Sequence, residues 1–214
     1  MKKYILLVSI VTGALIISGC TNNKNINKAM NNESAVSGEI TKTQEEHQSE
    51  EAKNKESKEL ETSFQEIKDL NKPDIEEARD FDASLKNGSI IMIGRNSSQE
   101  HEVYNIASLD RFIDSFNNGK EDYVRVIKGI IESDGTFLVN KLEEHETDGK
   151  VIKSLVYDTY ADKNKFILGR PSYSYKMIKS CSDNGIRYSV LLSKDTPEEM
   201  GATVISLDKS SIKN

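Results

Sequence analysis

The sequence predicts an α+β fold: a mostly antiparallel β-sheet covered by one amphipathic helix and preceded by a disordered tether. One segment, Ser108 to Gly119, has a helical apolar stripe, and the segments after it are rich in β-branched residues and separated by glycine turns. A long polar stretch precedes both. These observations divide the chain into an N-terminal leader (1–19), a tether (20–58), two short helices (59–87) and an α+β domain (88–214).

The first residues have the pattern of a secretory signal peptide. Lys2 and Lys3 precede a mostly apolar run from Tyr4 to Ile17, and small residues follow before Cys20. The run of about 14 residues is short for a membrane span, which takes about 20. Two alternatives stay open: an uncleaved membrane helix, and an ordinary secretory signal in which the cysteine is incidental.

The segment Ile17-Ser18-Gly19-Cys20 resembles the lipobox of bacterial lipoproteins. The resemblance implies diacylglycerol on the Cys20 sulfur, cleavage before Cys20, and anchoring at the extracytoplasmic face of the cell membrane. Two acyl chains anchor a protein stably, whereas a single chain binds only marginally.

The stretch from Cys20 to residue 58 is dominated by Thr, Asn, Lys, Glu, Ser and Gln and has no apolar period. Such a composition does not bury enough apolar surface to offset chain entropy, so we expect a disordered tether. At roughly 5–6 Å times the square root of its length, a tether of this size spans roughly 40 Å.

Two short helices are predicted next. The first carries apolar residues at helical spacing: Leu60, Phe64, Ile67 and Leu70. The second begins at Pro73, with acidic residues in its first turn, and ends at Asn87-Gly88. The sequence leaves open whether these helices pack on the domain.

The domain begins with strand candidates at Ser89 to Gly94 and His101 to Asn105. The helix from Ser108 to Gly119 follows, with Ser108 as its predicted N-cap. The apolar face of this helix consists of Leu109, Phe112, Ile113 and Phe116. The later strand candidates are Tyr123 to Glu132, Thr136 to Glu143, Val151 to Tyr160, Tyr173 to Cys181, Ile186 to Leu192 and Thr203 to Leu207. Glycine turns at 133–135, 147–149 and 183–185 join successive strands.

The charge and the cysteine count exclude some classes of function. The net charge of -6 argues against nucleic-acid binding, which needs a basic patch. There are two cysteines. With Cys20 carrying lipid, Cys181 is expected to be a buried free thiol or to pair with another molecule.

No catalytic, cofactor or metal motif stands out. His145 shows neither an orienting partner nor a nearby nucleophile in the sequence. Asp158 and Asp162 lie in a polar turn without the spacing of a calcium loop. One enzymatic alternative stays open, an envelope hydrolase that uses Cys181 or the carboxylate pair Asp158 and Asp162. The tyrosines at 157, 160, 173, 175 and 188 are candidates for a binding surface.

The chain also is similar to a family of small lipoproteins of spore-forming Gram-positive bacteria that end in a domain of unknown function. The stretches that carry the similarity are Asn105-Ile-Ala-Ser-Leu-Asp-Arg-Phe-Ile, Asn118-Gly-Lys-x-Asp-x-Val-Arg-Val, Tyr157-Asp and Asp162-Lys. The turns at 133–135 and 147–149 depart from the family pattern. The resemblance implies a cell-envelope lipoprotein, and it points to no particular activity because none is assigned to the family. Because the tether is long, the domain is small and β-rich, and no catalytic motif stands out, we expect a non-enzymatic binding or interaction domain, whose partner is an envelope protein or a wall component.

Overall fold

The computed structural model describes residues 55–95, 101–162 and 165–213. The predicted signal peptide (1–19), Cys20 and residues 20–54 of the predicted tether lie outside these ranges. Residues 55–58, assigned above to the tether, belong to a helix instead. Within the described ranges, no helix combines the length and the apolar character needed to cross a membrane.

The α+β fold class is confirmed. The helices are α1 (55–63), α2 (Phe81–Lys86) and α3 (Ala107–Asn117), with short 3-10 turns at Ile75–Arg79, Glu198–Met200 and Lys209–Ser211. The strands are β1 (Ile90–Arg95), β2 (His101–Tyr104), β3 (Asp122–Ile131), β4 (Phe137–Thr147), β5 (Ile152–Asp158), β6 (Ile167–Leu168), β7 (Ser172–Ser174), β8 (Lys176–Cys181), β9 (Gly185–Leu191) and β10 (Ala202–Asp208).

The strands form two sheets. The larger has seven strands in the order β2-β1-β3-β4-β5-β6, and β7 also pairs with β5. The smaller has the order β10-β9-β8. Only the β1–β3 ladder is parallel among the described strands, so the sheets are mostly antiparallel as predicted. The connection between β1 and β3 runs through β2 and α3, because parallel neighbours need a crossover.

The single strand predicted from Tyr173 to Cys181 is wrong. The chain changes sheets at Tyr175: β7 pairs with β5, and β8 pairs with β9. Because the strand breaks there, its side chains do not share one face. The Tyr173 ring lies 5.8 Å from the Phe64 ring, centroid to centroid, whereas Met177 is buried in the core.

Helix α3 forms where the sequence predicts it, and its apolar stripe is buried. Leu109 and Phe112 are inaccessible to solvent. The predicted N-cap, however, is wrong: Ile106 occupies the cap position. The Ser108 hydroxyl instead donates to the carbonyl of Gly88 at 3.1 Å, and this bond links the start of α3 to the connection between α2 and β1.

The main hydrophobic core lies between one face of the seven-stranded sheet and a layer formed by α3 and the three-stranded sheet. Its buried members are Ile90, Val103, Leu109, Phe112, Val124, Val126, Ile152, Met177, Tyr188, Val190, Val204, Ile205 and Leu207. Burial of such side chains contributes about 1.5–3 kcal/mol each, so this layer supplies most of the stability of the fold.

The opposite face of the large sheet is covered by residues 55–80, which we call the arm. The continuous helix predicted between Pro73 and Asn87 does not form, because the chain leaves the helical conformation at the end of the arm. Residues Ile75–Arg79 form a 3-10 turn, Asp80 is extended, and its carboxylate accepts from the amide of Ala83 at 3.0 Å to start α2. Ala78 is completely buried against the sheet.

The arm crosses the sheet from one side towards its middle. Phe64 stacks on Tyr173 of β7, and the Glu66 carboxylate pairs with Lys153 of β5 at 2.7 Å. The amide of Gln65 donates to Asp148, in the turn before β5, at 2.9 Å. The arm therefore belongs to the folded domain, which answers the question that the sequence left open.

Two further contacts hold the second half of the arm. Lys72 pairs with Glu146 of β4. Beyond it, the guanidinium of Arg125 on β3 donates to the carbonyls of Pro73 at 2.7 Å and Asp74 at 2.9 Å. The strongest contacts of the arm thus lie over β4 and β3.

Arg125 and Glu144 form a buried ion pair between β3 and β4. Their residues face each other in the strand register, and their side chains are 1% and 4% exposed. The Arg125 Nη2 and Nε atoms donate to the same Glu144 oxygen at 2.8 and 3.0 Å. A buried charge is costly unless it is fully paired, so each partner depends on the other.

We expect Arg125→Met to destabilise the protein by about 3–5 kcal/mol, because the change leaves the Glu144 carboxylate buried without its partner. The double variant Arg125→Met/Glu144→Leu should lose less than the single variant, since no charge is then stranded. Urea unfolding of the two variants and the wild type measures both values. Equal losses in the single and double variants would show that packing of the arm, rather than the charge pair, dominates.

Candidate functional site

A half-open cleft of about 560 Å³ lies where the arm meets the large sheet and α3. Pockets that take small ligands have volumes of about 300–1,000 Å³. Both the arm and the body of the domain contribute its walls: Leu70, Asn71, Pro73, Glu77, Asn87, Gly88, Ser89, Arg111, Asp122, Tyr123, Val124 and Arg125. The cleft therefore exists in this form only while the arm is docked.

The floor of the cleft is the Arg125–Glu144 pair and the tyrosine beside it. The Tyr123 hydroxyl donates to Glu144, and Arg125 Nε donates to the same hydroxyl at 3.1 Å. Burial and the neighbouring Glu144 carboxylate raise the pKa of Tyr123 far above its ordinary value. The phenol thus stays protonated and serves as a hydrogen-bond donor to the carboxylate.

One wall is formed by Arg111, which projects from α3 and pairs with Asp122 at 3.2 Å. Its Nη2 also donates to the carbonyl of Tyr123 at 3.0 Å. These bonds hold the guanidinium plane against the start of β3. The two N–H groups of Nη1 make no hydrogen bond to any other described residue.

The facing wall is formed by Glu77 of the arm and Asn87 after α2. The Asn87 amide donates to Glu77 Oε2 at 2.9 Å, and its oxygen accepts from the Ser89 hydroxyl at 2.7 Å. Gly88, with a φ of +83°, turns the chain between them in a conformation that favours glycine. Asn71 stands at the rim with its side chain exposed and, among the described residues, without a hydrogen-bond partner.

Three of the four charged side chains that line the cleft are paired with an opposite charge. The lining holds two cations, Arg111 and Arg125, and two carboxylates, Glu77 and Asp122. Arg111 pairs with Asp122 and Arg125 with Glu144, whereas Glu77 accepts from the neutral amide of Asn87. The lining contains no cysteine, histidine or lysine, and its hydroxyl groups are those of Ser89 and Tyr123.

Cys181, the nucleophile of the enzymatic alternative, lies at the end of β8, outside the cleft. It is half-buried rather than in the core, and no cysteine among the described residues is free. The expectation of a buried free thiol is therefore wrong. A sulfur that is not free cannot serve as the nucleophile of a hydrolase.

Asp158 and Asp162 do not form a catalytic pair in the structure. One oxygen of Asp158 accepts from the amides of Tyr160 and Ala161, at 2.8 and 2.9 Å, and these bonds lower its pKa. Asp162 lies 3.9 Å from the Lys165 ammonium. The pair thus belongs to an ordinary polar turn, and no group of residues able to hold a metal occurs within the described ranges.

The five tyrosines do not share a surface. Tyr188 is completely buried, and its hydroxyl donates to Asp110 at 2.8 Å. Tyr157 donates to Glu144 at 2.8 Å on the arm side of the sheet. Tyr160 is 75% exposed in the turn after β5, and Tyr175 lies where the chain changes sheets. The hypothesis of a tyrosine binding surface is therefore not supported.

The structure gives His145 a partner that the sequence does not reveal. Its Nδ1 atom lies 2.8 Å from the Ser154 hydroxyl on the neighbouring strand β5. Both side chains are buried, at 2% and 4% exposure, and His145 Nε2 has no partner. Because no substrate reaches a buried pair, we regard this contact as structural.

The cleft residues also escaped the sequence analysis, although a signal for them exists. Strand β4 contains five consecutive polar residues, from Glu143 to Thr147, and all five are buried. A lone arginine, Arg125, interrupts the apolar run of β3. A charged residue in a β-branched run next to a polar strand indicates a buried ion pair, which neither strand shows by itself.

Comparison with known proteins returned no match to a family model, to a curated protein or to a solved structure. The resemblance to Gram-positive lipoproteins thus stays a prediction from the sequence.

His145 makes stability depend on pH. Burial lowers the pKa of His145 from 6.5 to about 4, against the opposing effect of Glu143, so the unfolded chain binds a proton more readily than the folded one. The contribution of the neutral, buried His145 to the free energy of unfolding is complete above pH 6.5 and is lost as the pH falls towards 4. We expect a loss of about 2 kcal/mol between about pH 7.5 and pH 5.

The measurement is urea unfolding across that pH range, comparing the wild type with His145→Gln. The difference between the two should shrink as the pH falls. His101→Gln, at an exposed position, is the matched control and should follow the wild type. A parallel pH dependence in wild type and His145→Gln would contradict the assignment.

Proposed function

We propose that this chain is a cell-envelope lipoprotein whose folded part is a non-enzymatic binding domain with the arm cleft as its ligand site. The observation that carries the binding role is the cleft itself, which is open and polar and whose lining holds no cysteine, histidine or lysine. A hydrolase needs a nucleophile beside a base, and the Ser89 hydroxyl of the lining donates to the Asn87 amide oxygen instead of to a base.

The proposed location at the cell membrane depends on the sequence pattern of the N-terminal residues. The basic start, the short apolar run and Ser18-Gly19-Cys20 favour export and lipid attachment. Because the sequence has two cysteines and Cys181 is not free, a lipid on Cys20 requires that Cys181 pairs with another molecule. The net charge of -6 fits a domain that stands off an anionic membrane surface and does not bind nucleic acid. The partners that suit this place are an envelope protein or a component of the wall.

The position of the arm connects the proposed membrane anchor with the proposed ligand cleft. The arm begins at residue 55, directly after the segment proposed as the tether, and it forms one wall of the cleft. The same stretch of chain therefore leads to the proposed anchor and contacts the proposed ligand.

We expect the mature protein, isolated from membranes of the producing cell, to start at Cys20 and to carry a diacylglycerol thioether. Mass spectrometry of the N-terminal peptide measures this directly. Cys20→Ser should abolish both the lipid and membrane retention, because the sulfur is the attachment atom. Cys181→Ser is the matched control and should retain both. An unmodified Cys20, or a Cys20 in a disulfide with Cys181, would overturn the lipid anchor.

The binding site is tested with a photo-crosslinking amino acid at Asn71, on the rim of the cleft, in the full-length protein in intact cells. We expect one saturable adduct, a protein or a wall fragment, that is absent when the same amino acid replaces the exposed Arg170 outside the cleft. Adducts of equal yield at both positions, or none at Asn71, would refute the cleft as a binding site.

A further inference from the structure

The groups that remain unpaired in the cleft restrict the chemistry of its ligand. Arg111 Nη1 offers N–H donors, and Glu77 Oε1 is an acceptor that no hydrogen bond within the described residues uses. The Asn71 amide offers both kinds of group. Hydrogen-bond donors and acceptors therefore both remain available around one cleft of about 560 Å³.

A charged ligand does not fit this arrangement. A phosphate or carboxylate needs a cation that is free to pair, but Arg111 is held by Asp122 and Arg125 by Glu144. A cationic ligand would have to compete with Arg111 for Asp122, or bind to Glu77 alone, which accepts from the Asn87 amide and faces the Arg111 guanidinium across the cleft.

A sugar satisfies these conditions. Each hydroxyl both donates and accepts, so neighbouring hydroxyls pair with planar amide, carboxylate and guanidinium groups. The lining also includes Leu70 and Pro73, which provide apolar area for the C–H face of a sugar ring.

We propose that the cleft binds an uncharged glycan unit, and this inference rests on the proposed binding function. Because Asn71 and Glu77 belong to the arm whereas Arg111 and Asp122 belong to the body, a bound sugar bridges the two. Anything that binds only the docked arm stabilises that state by mass action. Binding and arm docking are therefore coupled.

The experiment uses the full-length protein in detergent and two probes: chitobiose, the neutral dimer of N-acetylglucosamine, and sn-glycerol 3-phosphate as the anionic probe. Calorimetric titration measures the Kd, and limited proteolysis measures cleavage within residues 55–80. We expect chitobiose to bind with a Kd of about 1 mM or tighter. It should also slow cleavage of the arm, whereas glycerol phosphate should do neither.

Two cleft variants and two matched controls locate the binding. Asn71→Ala and Arg111→Met should each weaken chitobiose binding about tenfold, since each removes hydrogen bonds to the ligand. Asn117→Ala and Arg170→Met change the same residue types at exposed positions outside the cleft and should leave the Kd unchanged.

The outcomes separate this inference from the function on which it rests. Binding of glycerol phosphate that the cleft variants abolish would overturn the sugar class and leave a binding site in place. No binding of either probe, together with a specific adduct at Asn71 in cells, would also overturn the sugar class alone. No binding and no adduct would overturn both. Chitobiose binding that all four variants leave unchanged would place the sugar elsewhere and refute the inference.

Discussion

The buried guanidinium of Arg125 constrains the whole arm side of the molecule. A guanidinium out of contact with water must give its N–H groups to oxygen atoms, and its own strand offers only the Tyr123 hydroxyl. Glu144 on the next strand supplies the countercharge, and the carbonyls of Pro73 and Asp74 supply two further acceptors. The path of the arm over the sheet follows from this requirement.

The cleft is a consequence of the same requirement. Once the chain at residues 73–74 is fixed over β3, Glu77 stands opposite Arg111, and the space between them remains open. Its polarity comes from the ion pairs Arg111–Asp122 and Arg125–Glu144 and from Glu77, whose partner is the neutral amide of Asn87. A ligand of such a surface would be selected by the geometry of its hydrogen bonds more than by its net charge.

The sequence predicts the locally determined parts of this structure well. Helix α3 is recognisable from the spacing of Leu109, Phe112 and Phe116, and the β3–β4 and β8–β9 hairpins from their glycine turns. What it does not predict depends on distant partners. The exchange of sheets at Tyr175 has no turn signal of its own, because the chain bends there without a glycine, proline or asparagine.

Buried polar residues were the other source of error. Glu144 and Glu146 have the same appearance in the sequence as solvent-facing glutamates, and only their partners Arg125 and Lys72, 19 and 74 residues away, explain their burial. The candidate site was missed for this reason, whereas the apolar core was found. Apolar periodicity can be detected within one segment, but charge complementarity between segments cannot.

The order of the arm's contacts determines how the domain responds to mechanical load. A pull transmitted along the chain to residue 55 acts first on the exposed Glu56–Lys194 bond, then on the Phe64–Tyr173 stack, and only last on Arg125. Contacts that are loaded in series along the chain break one after another instead of sharing the force. A load on the N-terminal end of the arm is therefore expected to peel the arm from the sheet stepwise, and the Arg125 contacts at residues 73–74 would be the last to break.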